Sequence, residues 1–161
     1  MEKIKVSLTC YIIDMLIRNA ILNDAEIIAK NNLLLAQESE NIKIKHETVI
    51  EGVKAIITDE QKGFYLVVEN HNDIIGQMMI TFEWSDWRNK TIWWLQSVYV
   101  HKAWRQKGIF TQLLKTIKQR ASEHNVDVLR LYVRKNNEKA KKAYQRVKMI
   151  KEPYDIYQTE L

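Results

Sequence analysis

Four consecutive residues past the middle of the chain have the composition of a phosphate-binding turn: Arg105, Gln106, Lys107 and Gly108. They follow a β-branched and aromatic run and precede apolar residues at helical spacing, so they stand where a strand passes into a helix. The N–H groups at a helix N-terminus attract negative charge, a glycine lets a ligand approach the backbone, and the cations add to the attraction. The turn has neither the Gly-Lys-Ser/Thr of a P-loop nor the spacing G-x-G-x-x-G. A purely structural turn is the alternative interpretation.

Two motifs in this order resemble those of the GNAT-type N-acetyltransferase superfamily. The segment Arg105-Gln106-Lys107-Gly108-Ile109-Phe110 is similar to the acetyl-CoA loop of that superfamily, Q/R-x-x-G-x-G/A. One strand downstream, Asn137, Ala140 and Tyr144 are in register with its Asn-x-x-Ala-x-x-x-Tyr helix. The resemblance extends from about Leu16 to the C-terminus.

Two positions depart from the pattern of the superfamily. Phe110 stands where Gly or Ala is usual, but it keeps the backbone N–H that a phosphate needs. We expect its ring to turn into the core with Leu113 and Leu114. Lys148 stands where a Gly is expected after the second motif. This departure affects the packing of a helix-to-strand turn more than it affects catalysis.

The resemblance implies direct transfer of an acetyl group from acetyl-CoA, a cosubstrate used without a metal, to a primary amine in a ternary complex. Val98 and Val100 would hold the pantetheine arm, and an N–H at Val98 or Tyr99 would polarise the thioester carbonyl. Main-chain donors from Gln106 through Thr111 would hold the pyrophosphate. The implied cofactor-binding residues are Val98, Tyr99, Val100, Arg105, Gln106, Lys107, Gly108, Ile109, Phe110, Thr111, Asn137, Ala140 and Tyr144.

The resemblance also leads to candidates for the two proton-transfer roles. Tyr144 is the candidate general acid that protonates the departing CoA sulfur; alternatively, its ring simply packs on the apolar face of its helix. Glu83 is preferred over Asp86 as the base that deprotonates the amine, directly or through water. Both carboxylates could instead pair with Arg88 or Lys90 in a capped hairpin turn.

The elements that must position these residues follow from the hydrophobic periodicity. In the first part of the chain, the predicted elements are a strand at 15–20, helices at about 23–37 and 48–58, and strands at 64–70, 74–84 and 91–100. They are followed by a helix, a strand at 128–133, a helix from about Asn137 and a strand at 154–161. The apolar face of the first of these two helices is formed by Phe110, Leu113, Leu114, Ile117 and Ala121. The sequence therefore predicts an α/β (α+β) protein. The resemblance specifies a mixed, mostly antiparallel central sheet flanked by helices, the GNAT fold.

Length and composition predict one globular domain in the cytoplasm. The chain has 161 residues, of which 46% are hydrophobic, and we expect a single domain over residues 15–161 preceded by an extension of undefined role at 1–14. The one cysteine, Cys10, excludes an intramolecular disulfide and lacks the activating neighbours of a nucleophile. The apolar run near the N-terminus is too short to cross a membrane.

The charge is unevenly distributed along the chain. Residues 1–80 carry 8 Lys+Arg against 12 Asp+Glu, a net of −4, whereas residues 81–161 carry 17 against 8, a net of +9. The basic half suits a polyanionic partner such as a phosphorylated small molecule, although a solvated surface explains it equally well. The resembled fold usually places acceptor recognition in its first half, so the acidic character of that half here implies a cationic acceptor, either a small molecule or a lysine.

Alternatives to an enzyme are a noncatalytic acyl-CoA-binding sensor of the same fold and, ranked last, a nucleic-acid-binding domain. Trp93 and Trp94 are adjacent on a predicted strand, so they point to opposite faces and at least one should be in the core. Trp84 and Trp87 flank a polar turn and could wall an acceptor pocket or a homodimer interface.

Overall fold

The computed structural model describes residues 3–8 and 11–161, with side chains from residue 15 onward, so the expectations for Cys10 lie outside the described residues. The chain forms two compact units, Met1–Leu131 and Tyr132–Leu161. Among the described residues, none of the helices combines the length and apolar character needed to cross a bilayer.

The first unit is built on one sheet whose strands follow the chain order. Its elements are β1 (Lys3–Leu8), β2 (Tyr11–Asn19), α1 (Ala25–Glu40), α2 (His46–Thr58), β3 (Phe64–Asn70), β4 (Asp73–Ser85), β5 (Lys90–Val100), α3 (Ile109–Glu123) and β6 (Leu129–Arg130). All neighbouring strands are antiparallel except β5 and β6, which are parallel. The prediction of a mixed, mostly antiparallel sheet flanked by helices is confirmed.

The central strands carry apolar side chains on both faces, and a helical layer covers each face. On one face, Tyr65 and Val67 of β3 pack with the α1 residues Ile28 and Ala29 and with Val53 of α2. The alternate residues of the strands point to the other face, where α3 packs. There a Cβ built on Gly76 of β4 would lie 2.8 Å from the Ile109 Cγ2 of α3, so only glycine allows this close approach.

The buried stripe of α3 begins one residue earlier than predicted. Ile109 is 2% exposed and is followed on the same face by Leu113, Ile117 and Ala121, whereas Phe110 is only half-buried. The helix has begun by Phe110, the condition under which its ring can turn into the core, and the side chain is half-buried there. The helix begins directly after Gly108, which gives Ile109 the position facing the sheet.

Strand lengths differ from the predictions at both ends of the chain. β2 begins at Tyr11 rather than at residue 15, because its first half pairs with β1. The strand expected at 128–133 is reduced to Leu129–Arg130. The strand expected at 154–161 is wrong, since these residues have no regular structure and Tyr154 and Tyr157 are exposed. Apolar alternation favours a strand only where a neighbouring strand is available to pair with it.

The second unit contains one helix, α4 (Glu138–Arg146), within its described residues. Asn137 caps this helix, since its side chain accepts a hydrogen bond of 3.1 Å from the N–H of Ala140. Two residues of the second motif thus have a local structural role in starting the helix.

Candidate active site

The strand β5 loses its neighbour on one side before it ends. Its ladder with β6 stops at the pair Trp94 and Arg130, whereas its ladder with β4 continues to Val100. Among the described residues, β4 is therefore the one strand that pairs with the segment 95–100. On the side of β6, the backbone groups of residues 95–100 have no strand partner among the described residues, and an unpaired strand edge can bind an extended ligand.

A β-bulge lies within this diverging segment. The β4–β5 register shifts between Gln77 and Met79, and Ser97 has a φ of 46°, which is left-handed backbone. A bulge turns the following backbone groups away from the regular ladder. Val98, the residue proposed to face a thioester, immediately follows this turn.

The basic turn contains two residues with left-handed backbone directly before a helix. Gln106 and Gly108 have φ values of 62° and 80°, and α3 begins at Ile109. A backbone N–H to C=O bond of 3.0 Å joins Gln112 to Gly108, so the N–H groups before Gln112 point out of the helix end. A Cβ on Gly108 would meet nothing within 4 Å, and the space in front of the helix is open. Left-handed turns next to a helix N-terminus form concave sites for phosphate.

The Arg105 side chain binds other parts of the protein. Its Nη2 donates to Glu38 Oε2 at 2.7 Å, and its Nε donates to the Val100 carbonyl at 2.9 Å. The guanidinium also lies 5.5 Å from the centre of the Tyr99 ring, and Lys102 Nζ is 3.4 Å from Glu38. Arg105 therefore ties the C-terminal end of α1 to the end of β5.

This ion pair changes the titration of its neighbours. Burial works to raise the pKa of Glu38, but the hydrogen bond and charge of Arg105 outweigh it and lower the pKa below its ordinary value. Burial, followed by the negative charge of Glu38, raises the pKa of Tyr99. Near neutral pH, Glu38 is thus a carboxylate and Tyr99 a neutral phenol.

Glu83 lies in a polar cluster that spans three strands. Its two carboxylate oxygens accept hydrogen bonds from Trp94 Nε1 at 2.5 Å and from Arg130 Nη1 at 3.2 Å. The alternative in which Glu83 pairs with Arg88 or Lys90 is not seen among its described contacts. Lys90 instead pairs with Asp127, at 2.6 Å.

The register of the sheet also gives the distance between Glu83 and the bulge. Glu83 lies four residues along β4 from Met79, whose partner Gln96 directly precedes the bulge. At the rise of an antiparallel strand this is about 13 Å. Between them, Gln96 Nε2 donates to Thr81 Oγ1 at 2.6 Å, so polar side chains connect the two positions along one face.

Tyr144 belongs to the unit formed by Tyr132–Leu161. Its ring is half-buried, and burial raises the pKa of its hydroxyl. The phenol therefore keeps its proton near neutral pH, as a general acid requires.

A buried polar network not anticipated from the sequence lies beside the bulge. Gln77 of β4 is 0% exposed and accepts from Asn31 Nδ2 at 2.9 Å, and it donates to Asn32 Oδ1 at 2.8 Å. Asn32 Nδ2 donates in turn to the Tyr65 hydroxyl at 3.0 Å. The one signal in the sequence was the amide of Gln77 inside an otherwise apolar strand, since a buried polar group must find a partner.

The tryptophans divide as their positions on the strand predict. Trp93 is in the core and Trp94 is half-buried on the opposite face, which confirms that at least one is a core residue. Trp84 and Trp87 are 63% and 93% exposed.

Comparisons with known proteins identify relatives of this arrangement. Residues 31–149 match the model of the acetyltransferase (GNAT) family. A protein from Clostridium difficile 630, described as a possible acetyltransferase, is 41% identical; the alignment covers 91% of this chain and 97% of that one, with a TM-score of 0.85. No curated protein matches the chain.

More distant structures share the fold at lower identity. An acetyltransferase of Clostridium acetobutylicum, described as a predicted one and crystallised with acetyl-CoA, is 17% identical over 90% of this chain and 96% of that chain, with a TM-score of 0.75. The ribosomal-protein-alanine N-acetyltransferase of Brucella melitensis biovar Abortus 2308 is 17% identical over 91% and 99%, with a TM-score of 0.72.

Proposed function

Because the chain belongs to the GNAT family of acetyltransferases, we propose that it transfers the acetyl group of acetyl-CoA to a primary amine. The observation that carries this proposal is the junction of β5 and α3. There, the end of β5 no longer pairs with β6, and the chain continues into a turn in which Gln106 and Gly108 have left-handed backbone at the N-terminus of α3. We take residues 15–161 as the catalytic domain and residues 1–14 as an extension that adds β1 and the first residues of β2 to its sheet.

In this proposal, acetyl-CoA lies along β5 and across the end of α3. Backbone groups of Val98, Tyr99 and Val100 bind the pantetheine arm. The main chain from Gln106 to Thr111 binds the pyrophosphate, with Lys107 adding positive charge. Arg105 contributes by holding the turn, because its guanidinium is engaged by Glu38 and by the carbonyl of Val100. Asn137 and Ala140 start the helix that carries Tyr144.

The proposed reaction is direct attack of the amine on the thioester carbonyl. The amine must first lose a proton, which passes through water to the Glu83 carboxylate, since about 13 Å of strand separates Glu83 from the bulge. A C–N bond forms while the N–H of Val98 stabilises the oxyanion. The C–S bond then breaks, and the departing thiolate takes a proton from the Tyr144 hydroxyl. The nitrogen loses its second proton as the amide forms, and this proton returns through water to the tyrosinate. The products are the N-acetylated amine and CoA.

The proposed acceptor is a cationic small molecule or a lysine, as the acidic first half of the chain favours. Glu38 and Glu51 are already paired with cations of the protein, so within α1 and α2 we assign the attraction to Glu47. A homodimer through the exposed Trp84 and Trp87 is part of the same proposal, and its test is the mass of the protein in solution.

The function is tested by measuring CoA release with acetyl-CoA and a panel of cationic, neutral and anionic amines. We expect acetyl-CoA to raise the melting temperature and CoA release to depend on the amine. Turnover with anionic or neutral amines alone would contradict the cationic acceptor. Stabilisation by acetyl-CoA without amine-dependent release of CoA would contradict the enzyme and favour a sensor.

The proton-transfer roles are tested with one variant and one matched control each. Tyr144→Phe should lower kcat about ten-fold or more, while Tyr157→Phe, an exposed tyrosine of the same unit, should leave it unchanged. Glu83→Gln should lower kcat, whereas Asp86→Asn should not. A fall of less than a few-fold for Tyr144→Phe would remove its assignment as the acid.

A further inference from the structure

Glu38 stands at a position where a carboxylate is unfavourable for its own helix. The last turn of α1, residues 37–40, reads Gln-Glu-Ser-Glu and has no basic residue. A carboxylate near the C-terminus of a helix meets the negative end of the helix dipole and the unpaired carbonyl groups. A residue that conflicts with its local element in this way is explained by contacts outside that element.

The partners of Glu38 lie on both sides of the short turn that precedes the proposed pyrophosphate site. Its Oε2 accepts a hydrogen bond of 2.7 Å from Arg105 Nη2, and its Oε1 lies 3.4 Å from Lys102 Nζ. Lys102 opens the 3₁₀ turn Lys102–Trp104, and Arg105 directly follows it. Glu38 thus bridges the beginning and the end of this turn with its two carboxylate oxygens.

The end of α1 that carries Glu38 is closed by its own cap. Asn41 has left-handed backbone (φ 56°), and its N–H donates to the Gln37 carbonyl at 3.2 Å. The N–H of Ile42 donates to the Ala36 carbonyl at 3.3 Å, and Gln37 Nε2 donates to Asn41 Oδ1 at 2.8 Å. Because these bonds occupy carbonyl groups that are otherwise unpaired, the last turn of α1 is a firm base for the Glu38 side chain.

The residue that follows Arg105 has a backbone conformation that needs support. Gln106 has a φ of 62°, and left-handed backbone is costly for a residue with a side chain. Such a conformation persists only where the surroundings hold it. Arg105 is anchored directly before it, since its guanidinium binds Glu38 and its Nε donates to the Val100 carbonyl at 2.9 Å. The side chains of the ion pair are 40% exposed for Arg105 and 25% exposed for Glu38, so water screens the pair only in part.

We propose that Glu38 is a positioning residue of the cofactor site, which acts through Arg105 to hold residues 105–108 in the conformation that binds the pyrophosphate of acetyl-CoA. This proposal rests on the proposed function, because it concerns the same cofactor site. Glu38 lies outside both sequence motifs and need not touch the cofactor. It restricts the conformations of the free turn, and this lowers the entropic cost of ordering the turn when the cofactor binds.

The charge of Glu38 and its positioning role predict opposite effects on the affinity for CoA. A carboxylate beside a phosphate site repels the phosphates, so by charge alone its removal would tighten the binding of CoA. Its removal would also release the Arg105 guanidinium to bind a phosphate. If Glu38 instead holds the turn, its removal weakens binding. The direction of the change in affinity therefore decides between the two effects.

Glu38→Ala removes the carboxylate and leaves a strong helix former in α1. We expect the dissociation constant of CoA, measured by isothermal titration calorimetry, to rise about five-fold, the upper end of the range for a partly exposed ion pair. The KM for acetyl-CoA should rise with it, while kcat at saturating acetyl-CoA stays within about two-fold of wild type. The matched control is Glu51→Ala, which breaks the 2.8 Å pair with Lys54 on α2 and should leave both constants unchanged.

A double-mutant cycle in CoA affinity tests whether Glu38 acts through Arg105. In an Arg105→Gln background, Glu38→Ala should change the dissociation constant by less than about two-fold, because the partner of the carboxylate is already gone.

An unchanged or smaller dissociation constant in Glu38→Ala would overturn the proposal, as would the full loss of affinity in the Arg105→Gln background or a fall in kcat as large as the rise in KM. A wild-type protein that binds no CoA would instead reject the proposed function. The two failures are distinguishable, because the second appears before any variant is made.

Discussion

Replacing Gly108 should weaken the binding of CoA much more than it lowers the stability of the fold. Its φ is 80°, and a Cβ at this position would meet no atom within 4 Å. The Cβ introduced by Gly108→Val therefore meets no atom, and the left-handed conformation costs at least about 1–2 kcal/mol of the free energy of unfolding, because the new side chain is β-branched. The new side chain occupies the open space in front of α3, where the pyrophosphate is proposed to lie.

The expected loss of affinity is larger than this conformational cost alone would give. A hydrogen bond between a backbone N–H and a charged phosphate contributes about 1.5–3 kcal/mol, so displacing the pyrophosphate from one donor weakens CoA binding about ten- to a hundred-fold. Isothermal titration calorimetry measures the affinity, and urea unfolding measures the stability. A folded Gly108→Val protein that binds CoA as tightly as wild type would refute the placement of the pyrophosphate.

Two further variants serve as controls for this experiment. Gly52 lies within α2, and a Cβ at this position would meet no atom within 4 Å, so Gly52→Ala should raise the free energy of unfolding by roughly 0.5–1 kcal/mol and leave CoA affinity unchanged. Phe110→Gly should lower stability by about 0.5 kcal/mol from helix propensity and by more from the lost packing of its half-buried ring, with little change in affinity. Both variants thus lower stability, but only Gly108→Val should also weaken CoA binding.

The remaining predictions concern charged pairs. The carboxylate of Asp24 lies 2.6 Å from Arg18. Burial raises the pKa of Asp24, but Arg18 lowers it by more, so the pKa in the folded protein lies below its ordinary value. Asp24 should therefore contribute to the free energy of unfolding at pH values above its ordinary pKa, and this contribution should be lost as the pH falls through the folded pKa. Asp24→Asn should therefore flatten the acid limb of a plot of stability against pH, and an unchanged limb would contradict the pair. In a double-mutant cycle, Glu38→Gln and Arg105→Gln should be coupled by about 1 kcal/mol in urea unfolding, the range for a partly exposed pair. Additive effects would show that Arg105 does not depend on Glu38. Calorimetry should further show Arg105→Gln weakening CoA binding less than Gly108→Val does.

The sequence predicts those elements whose hydrophobic pattern or turn residues lie within the element itself. The apolar periodicity of α3 and of β3 to β5 reports directly on which side chains are buried, and the turn before α3 follows from Gly108 and its basic neighbours. The one-residue shift from Phe110 to Ile109 shows the limit of that signal, because two adjacent apolar residues fit the same periodicity.

Features that depend on contacts between distant segments could not be predicted. The partner of Arg105 is Glu38, 67 residues away, and no local pattern joins them. The left-handed backbone of Ser97 coincides with a shift in the register between β5 and β4, which depends on how the two strands pair. The expected strand at 154–161 failed for the same reason, since a strand requires a partner that its own sequence does not specify.

The release of CoA from acetyl-CoA, followed with a thiol reagent while a cationic amine is titrated in, tests the proposed acetyl transfer most directly. We expect a saturable, amine-dependent rate, an acetylated amine as the second product, and loss of most of this activity in Gly108→Val at an acetyl-CoA concentration that just saturates wild type. A rate independent of every amine, or no binding of acetyl-CoA at all, would contradict the proposed function.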